Sequence, residues 1–92
     1  MDLRRSLITM LGRLLEDMQV VQQQGAGYYS CIPVSRRYNK LLTQARQVVG
    51  DDDSLIGTFE PLPETDPKDP GDKMKMMQGF RVEIGQLITL LQ

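Results

Sequence analysis

Carboxylates and basic side chains form the clusters in this 92-residue chain that could do chemistry. The acidic run Asp51–Asp53 offers oxygen ligands of the kind that divalent cations prefer. A calcium-binding loop, however, needs a glycine at its sixth position and a glutamate at its twelfth, where this loop would place Ile56 and Leu62. We therefore expect the acidic run to cap a helix and to favour solubility, and we predict no metal site.

The chain contains no histidine. It therefore lacks the commonest general base, the Ser-His and Cys-His nucleophile pairs and the usual ligand of zinc sites. The single cysteine, Cys31, cannot form an intramolecular disulfide, and its apolar surroundings predict a buried, unreactive thiol in a reducing cytosol. These observations predict a cytoplasmic protein that is not an enzyme and that needs no cofactor.

Another cluster is basic and falls on a predicted helix. It consists of Arg36, Arg37, Tyr38, Lys40 and Arg46, and the first four of these are predicted to form a polar contact patch. A DNA-recognition helix can have this composition, since Arg and Asn read base edges and cations neutralise phosphates. The net charge of −1 counts against DNA binding, and so does the connection of about ten residues before this helix, because a helix-turn-helix has only three or four there.

Two interpretations of the basic residues therefore stay open. In the favoured one, Arg36 and Arg37 pair within the chain, either with the acidic run or with Glu60 and Glu64. In the other, the helix binds nucleic acid, and this remains the alternative function. Cations at a helix N-terminus oppose the helix dipole, which costs a little stability, so a functional role for them deserves a test.

Two long amphipathic helices must position these groups. Their apolar residues recur at alternating spacings of three and four, which places each set on one face of a helix and is typical of helices that pack side by side. We call these two sets the seams and predict that they form an interface: Leu7, Leu11, Leu14, Met18, Val21, Met77, Phe80, Ile84, Leu87 and Leu91.

Caps and breakers set the predicted boundaries within one all-α domain covering residues 1–92. Asp2 and Asp69 are candidate N-caps of the long helices, Pro70 suits a first helical position, and Ser35 is the candidate N-cap of the middle helix. The fold expected is a small antiparallel three-helix bundle with a short extra helical turn. Its predicted parts are helix 1 at 3–24, helix 2 at 36–49, the turn at 54–59, a proline-rich, solvated and mobile linker at 60–69, and helix 3 at 70–92.

The composition of the chain limits the classes of function that it can have. The chain has 40% hydrophobic residues, no Trp and two Phe, so its core is thin, and oligomerisation is a usual remedy for a thin core. No apolar run reaches the roughly 18 residues of a membrane span. The sequence predicts a non-catalytic protein-interaction or oligomerisation module that meets a second copy of itself or another protein chain, without a membrane and without nucleic acid.

Overall fold

A computed structural model describes residues 2–25, 30–50 and 55–92. The prediction of an all-helical three-helix bundle is confirmed, because every pair of helices is in contact and the described residues contain no strand. A short 3₁₀ turn supplies the extra helical element. The elements are α1 at Leu3–Gln22, α2 at Ile32–Val49, the 3₁₀ turn at Ile56–Thr58 and α3 at Pro70–Leu91.

The caps of the two long helices are those that the sequence predicts. The Asp2 carboxylate accepts hydrogen bonds from the backbone N–H groups of Arg4 and Arg5, and Asp69 does the same for Gly71 and Asp72. Each aspartate satisfies donors that the first helical turn leaves without a partner. At its other end α1 stops at Gln22, two residues earlier than predicted.

The predicted start of helix 2 at Arg36 is wrong, because α2 begins four residues earlier, at Ile32. Pro33 lies in the first turn, where a missing N–H costs nothing. Ser35 is not the N-cap. It lies fully buried inside the helix, and its hydroxyl donates to the Ile32 carbonyl over 3.1 Å. The donors at this helix start are satisfied instead by Ser30, which accepts from the Ile32 N–H, and by a residue distant in sequence, discussed below.

The seams of α1 and α3 form the centre of the core. Nine of their ten residues are buried at 9% exposure or less, and α2 adds its own apolar face to them. Helices of this size gain most of their stability from such burial rather than from intrinsic propensity. The residues that α2 and its N-cap contribute to the core are Cys31, Val34, Tyr38, Leu41, Leu42 and Ala45, and the 3₁₀ turn with the residue after it adds Ile56 and Phe59.

Helices α2 and α3 run parallel, and α1 runs antiparallel to both, so the predicted antiparallel arrangement is found for α1 but not between α2 and α3. The Arg4 side chain, at the start of α1, donates to the carbonyl of Leu91, at the end of α3, over 3.1 Å. The Cys31 thiol, at the start of α2, lies 4.0 Å from the carbonyl of Lys73, at the start of α3. The chain must therefore return along the length of α2 before α3 begins.

Residues 60–69, which we call the return segment, run back along α2 without regular secondary structure. The chain from Phe59 to Asp66, when extended, covers about 23 Å, and α2 rises about 22 Å from Cys31 to Arg46. The two lengths match, so an extended chain can follow the helix from one end to the other. None of the helices in the three described ranges is long and apolar enough to cross a lipid bilayer.

Candidate functional site

The outer face of α2 carries the basic residues that the sequence selects. Arg36, Arg37 and Lys40 are exposed there and, with Pro33, line a shallow cleft of about 210 Å³. We call the three cations the basic face. Their spacing of one, three and four residues keeps them on the solvent side of the helix, opposite the core. The structure therefore brings together three of the four residues predicted as a polar contact patch.

Tyr38, the fourth predicted member, is not part of the patch. It is fully buried in the core, because it shares its helical face with Leu41, Leu42 and Ala45 rather than with the cations. Its hydroxyl has no hydrogen-bond partner among the described residues. Burial, aided by the negative charge of Glu83, raises the pKa of Tyr38 to about 12, so the phenol stays neutral at physiological pH.

Arg36 contacts the return segment as well as solvent. Its Nε donates to Oε1 of Glu64 over 3.3 Å, which confirms the prediction that an arginine of this helix pairs with Glu64. The other oxygen of Glu64 accepts from Nδ2 of Asn39 over 3.0 Å. The hydrogen bonds from Asn39 and then from Arg36 hold the pKa of Glu64 below its ordinary value. This carboxylate is exposed, so the ion pair adds little stability by itself.

Arg46 is separated from the basic face by its role in the fold. Its Nη2 donates to the carbonyl of Phe59 over 2.7 Å, which fixes the chain where it leaves the 3₁₀ turn. Arg37 and Lys40 differ from it, because neither makes a hydrogen bond or an ion pair to any residue that the structure describes. Arg37 and Lys40 are thus the cations of α2 that no described residue engages, and the predicted pairing with the acidic run lies outside the described residues.

Asn39 and Asp66 are two residues whose roles the sequence analysis missed. Asn39 makes two hydrogen bonds to the backbone of Leu62, and Asp66 Oδ1 accepts from the Cys31 N–H over 3.2 Å at the start of α2. Asn is a poor residue for a helix interior, which was a signal that its side chain has another task. No comparable signal marks Asp66, because its partner lies 35 residues away.

The Cys31 thiol is buried, as predicted. Burial comes first among the causes that raise its pKa, followed by the charge of Asp66, while the ammonium of Lys73 acts in the opposite direction. A thiol with a raised pKa carries little thiolate and is a poor nucleophile. Lys73 and Asp66 form an ion pair at 3.7 Å beside this thiol, where α2 and α3 begin.

The ten seam residues are not arranged as an exposed interface. Nine of them are buried within the chain and Val21 is half-buried, because α1 and α3 pack their seams against each other and against α2. A second copy could reach them only by opening the bundle. The residues predicted as an interface thus form the core of this single chain or pack against it.

The acidic run Asp51–Asp53 lies outside the described residues, so its predicted capping role stays a prediction. Within the described ranges no three acidic or cysteine side chains gather in a way that could hold a metal ion.

The fold and this site together define a small all-helical domain with an exposed basic face on its middle helix. Comparisons with protein-family models, with curated proteins and with solved structures find no match to the chain.

Proposed function

We propose that this protein is a non-catalytic interaction module whose basic face binds an acidic segment of another protein. One observation carries the proposal: Arg37 and Lys40 are exposed and unpaired within the described chain, beside Arg36, on a molecule whose net charge is −1. Unpaired cations grouped around one cleft attract and orient an anionic partner, even when the molecule as a whole is not basic.

The return segment supports an acidic and extended partner. It is itself an extended chain with several carboxylates, and α2 holds it through the ion pair of Arg36 with Glu64 and through hydrogen bonds from Asn39 to Leu62 and Glu64, while Arg46 holds Phe59 just before it. The basic face adjoins this contact, because Arg36 takes part in both. The helix thus already binds, within the chain, the kind of segment that we propose for the partner.

Binding of a fluorescein-labelled decaglutamate peptide, followed by fluorescence anisotropy at low and physiological salt, tests this proposal. We expect saturable binding that weakens with salt and that falls at least tenfold in the double variant Arg37→Glu with Lys40→Glu. The matched control is Lys68→Glu with Lys75→Glu, which makes the same change in net charge at two exposed lysines elsewhere. An equal loss in both double variants would mean that only net charge matters, and would refute a site on α2.

Nucleic acid is the second candidate for the same three cations. The observation that favours it is their clustering on one exposed helix face, since each can neutralise a phosphate. The negative net charge and the involvement of Arg36 with Glu64 and of Arg46 with Phe59 weigh against it. Labelled duplex and single-stranded DNA, titrated beside the peptide, separate the two. DNA binding that is tighter than peptide binding and lost in the same double variant would replace our proposal.

The remaining parts of the proposal follow from the same structure. The partner is another protein chain rather than a second copy, because burial of the seams leaves them unavailable for self-association. A single buried thiol suits a reducing compartment, and we place the protein in the cytoplasm on that ground. We also propose binding without catalysis, because the described residues that line this cleft, Pro33 and the three cations, include no hydroxyl or thiol nucleophile.

A further inference from the structure

A second cleft, of about 300 Å³, lies between the 3₁₀ turn and the last turns of α3, and the proposed function does not use it. This volume is at the lower end of the range for small-molecule sites. The lining residues come from two parts of the chain: Leu55, Thr58 and Phe59 on one side, and Glu83, Gln86, Thr89 and Leu90 on the other.

The cleft has an apolar base and one fixed wall. Phe59 is only 7% exposed and Leu90 is half-buried, and both line the base of the cleft with apolar surface. The hydrogen bond from Arg46 to the Phe59 carbonyl holds that side of the cleft in place. On α3, Glu83, Gln86 and Leu90 are spaced by three and four residues and therefore line one stripe of the helix.

The polar side chains of the cleft can all accept hydrogen bonds, those of Thr58, Gln86 and Thr89 can also donate them, and Glu83 carries the negative charge. The half-buried Glu83 makes no hydrogen bond or ion pair to the residues described, and neither does Gln86. The Thr89 hydroxyl is committed, since it donates to the carbonyl of Gly85 over 3.0 Å. The charge of Glu83 contributes to the raised pKa of the buried Tyr38, so the carboxylate lies near the core rather than pointing wholly into water.

We propose that this cleft is a binding site for a small primary amine with an apolar body. The ammonium group would pair with the Glu83 carboxylate and hydrogen-bond to the Gln86 carbonyl, and the apolar body would cover Phe59 and Leu90. Charge selects the ligand, because a half-buried carboxylate that no described cation pairs with favours an ammonium and repels an anion. The size of the cleft limits the ligand to roughly one ring or one short branched chain.

Titration of the ¹⁵N-labelled protein with benzylamine, followed by amide chemical shifts, tests the proposal. Benzyl alcohol and benzoate serve as the neutral and the anionic ligand of similar shape. We expect benzylamine to shift the amides of residues 55–59 and 83–90 in a saturable way. Benzyl alcohol should bind at least tenfold more weakly, and benzoate should not bind.

Glu83→Gln keeps the shape of the side chain and removes its charge, and we expect it to weaken benzylamine binding at least tenfold. The control is Glu16→Gln, at an exposed carboxylate of α1, which should leave binding unchanged. An unchanged spectrum away from the cleft shows that each variant is folded. Three results would each overturn the proposal: absence of saturable shifts up to 20 mM benzylamine, equal binding of benzyl alcohol, or unchanged binding in Glu83→Gln. None of them depends on the basic face of α2.

Discussion

At the scale of residues, Asn39 is the side chain that joins the return segment to α2. Its Nδ2 donates to the Leu62 carbonyl over 2.9 Å, and its Oδ1 accepts from the Leu62 N–H over 2.7 Å. Leu62 lies between Pro61 and Pro63, so it has the only backbone N–H of the three. The amide of Asn39 satisfies both backbone groups of this residue at once, as a neighbouring strand would.

Replacing Asn39 with Ala should therefore destabilise the protein, by about 1 to 2 kcal/mol. The loss of two hydrogen bonds to half-buried backbone groups exceeds the gain in helix propensity that Ala brings. Urea denaturation followed by circular dichroism measures the change. Gln44→Ala, at an exposed position of the same helix, is the control and should shift stability by no more than about 0.5 kcal/mol. Equal stability of the two variants would show that the Asn39–Leu62 contact contributes nothing.

Substitution of a core residue of the seams should lower stability more than substitution of Asn39 does. Leu87 has no exposed surface, and its replacement with Ala should cost about 2 to 5 kcal/mol through lost burial and a cavity. Val82→Ala on the same helix, where the side chain is 61% exposed, should cost less than about 0.5 kcal/mol. Thermal denaturation of both variants checks this. A melting temperature that falls more for Val82→Ala than for Leu87→Ala would contradict the assignment of the buried face of α3.

At the scale of elements, each end of the bundle is closed by a contact between residues distant in sequence. Helix α3 has no basic residue in its last turn, and Arg4 from α1 supplies a cation to its terminal carbonyl. This position is favourable, since the C-terminal end of a helix carries partial negative charge. Helix α2 in turn receives Asp66 at its positive N-terminal end. The return segment thus caps α2 as well as connecting it to α3.

The carboxylates of the return segment should make stability depend on acid pH. The hydrogen bond from the Cys31 N–H and the ammonium of Lys73 lower the pKa of Asp66, as Asn39 and Arg36 lower that of Glu64. A lowered pKa means that the folded protein binds these protons less tightly than the unfolded chain does. Their contribution is therefore complete above the ordinary pKa of about 4 and is lost as the pH falls below it.

Melting temperatures between pH 7 and pH 2.5 measure this dependence. We expect a plateau at neutral pH and a decline below about pH 4, and the decline should become shallower in Glu64→Gln with Asp66→Asn. Glu16→Gln, at an exposed position, should leave the slope unchanged. An identical pH profile in the double variant and the parent protein would exclude the return segment as its source.

At the scale of the whole molecule, the three helices bury their apolar faces within a single chain. The core includes both seams, the apolar face of α2 and two residues of the 3₁₀ turn and its flank. In the described ranges, the large apolar residues that stay more than 40% exposed are Leu3, Met10, Val20, Leu55, Met74 and Val82. Scattered exposed apolar residues of this kind are normal on a monomeric protein and do not by themselves require a partner.

We therefore expect a monomer in solution at tens of micromolar. The seams that favoured a dimer at the level of sequence are used inside the chain, so no interface of the size of a stable dimer remains on them. Sedimentation velocity between 5 and 200 µM, with Met10→Lys and Val82→Lys as surface variants, measures the state. A dimer that both lysine variants dissociate would show that exposed apolar residues associate after all.

The periodicity of α1 and α3 determined much of this fold without any structure. Spacings of three and four identified which residues face inward, and the N-caps Asp2 and Asp69 located two helix starts, because both signals depend only on neighbours within a few residues. The start of α2 was predicted wrongly for the opposite reason. Its capping carboxylate, Asp66, is distant in sequence, and Pro33 allows a helix to begin at Ile32 as readily as it prevents one from continuing.

Only the tertiary structure decided which surfaces the chain leaves open. An apolar seam has the same pattern whether it meets a helix of its own chain or of a second copy, since the sequence specifies a buried face but not what covers it. The same limit applies to charge: Arg36, Arg37 and Arg46 are alike in sequence, but Arg36 pairs with Glu64 of the return segment, Arg46 donates to the Phe59 carbonyl, and Arg37 stays exposed. Local pattern determined the helices of this protein, and the path of the chain between α2 and α3 decided which arginines of α2 are engaged by the residues described.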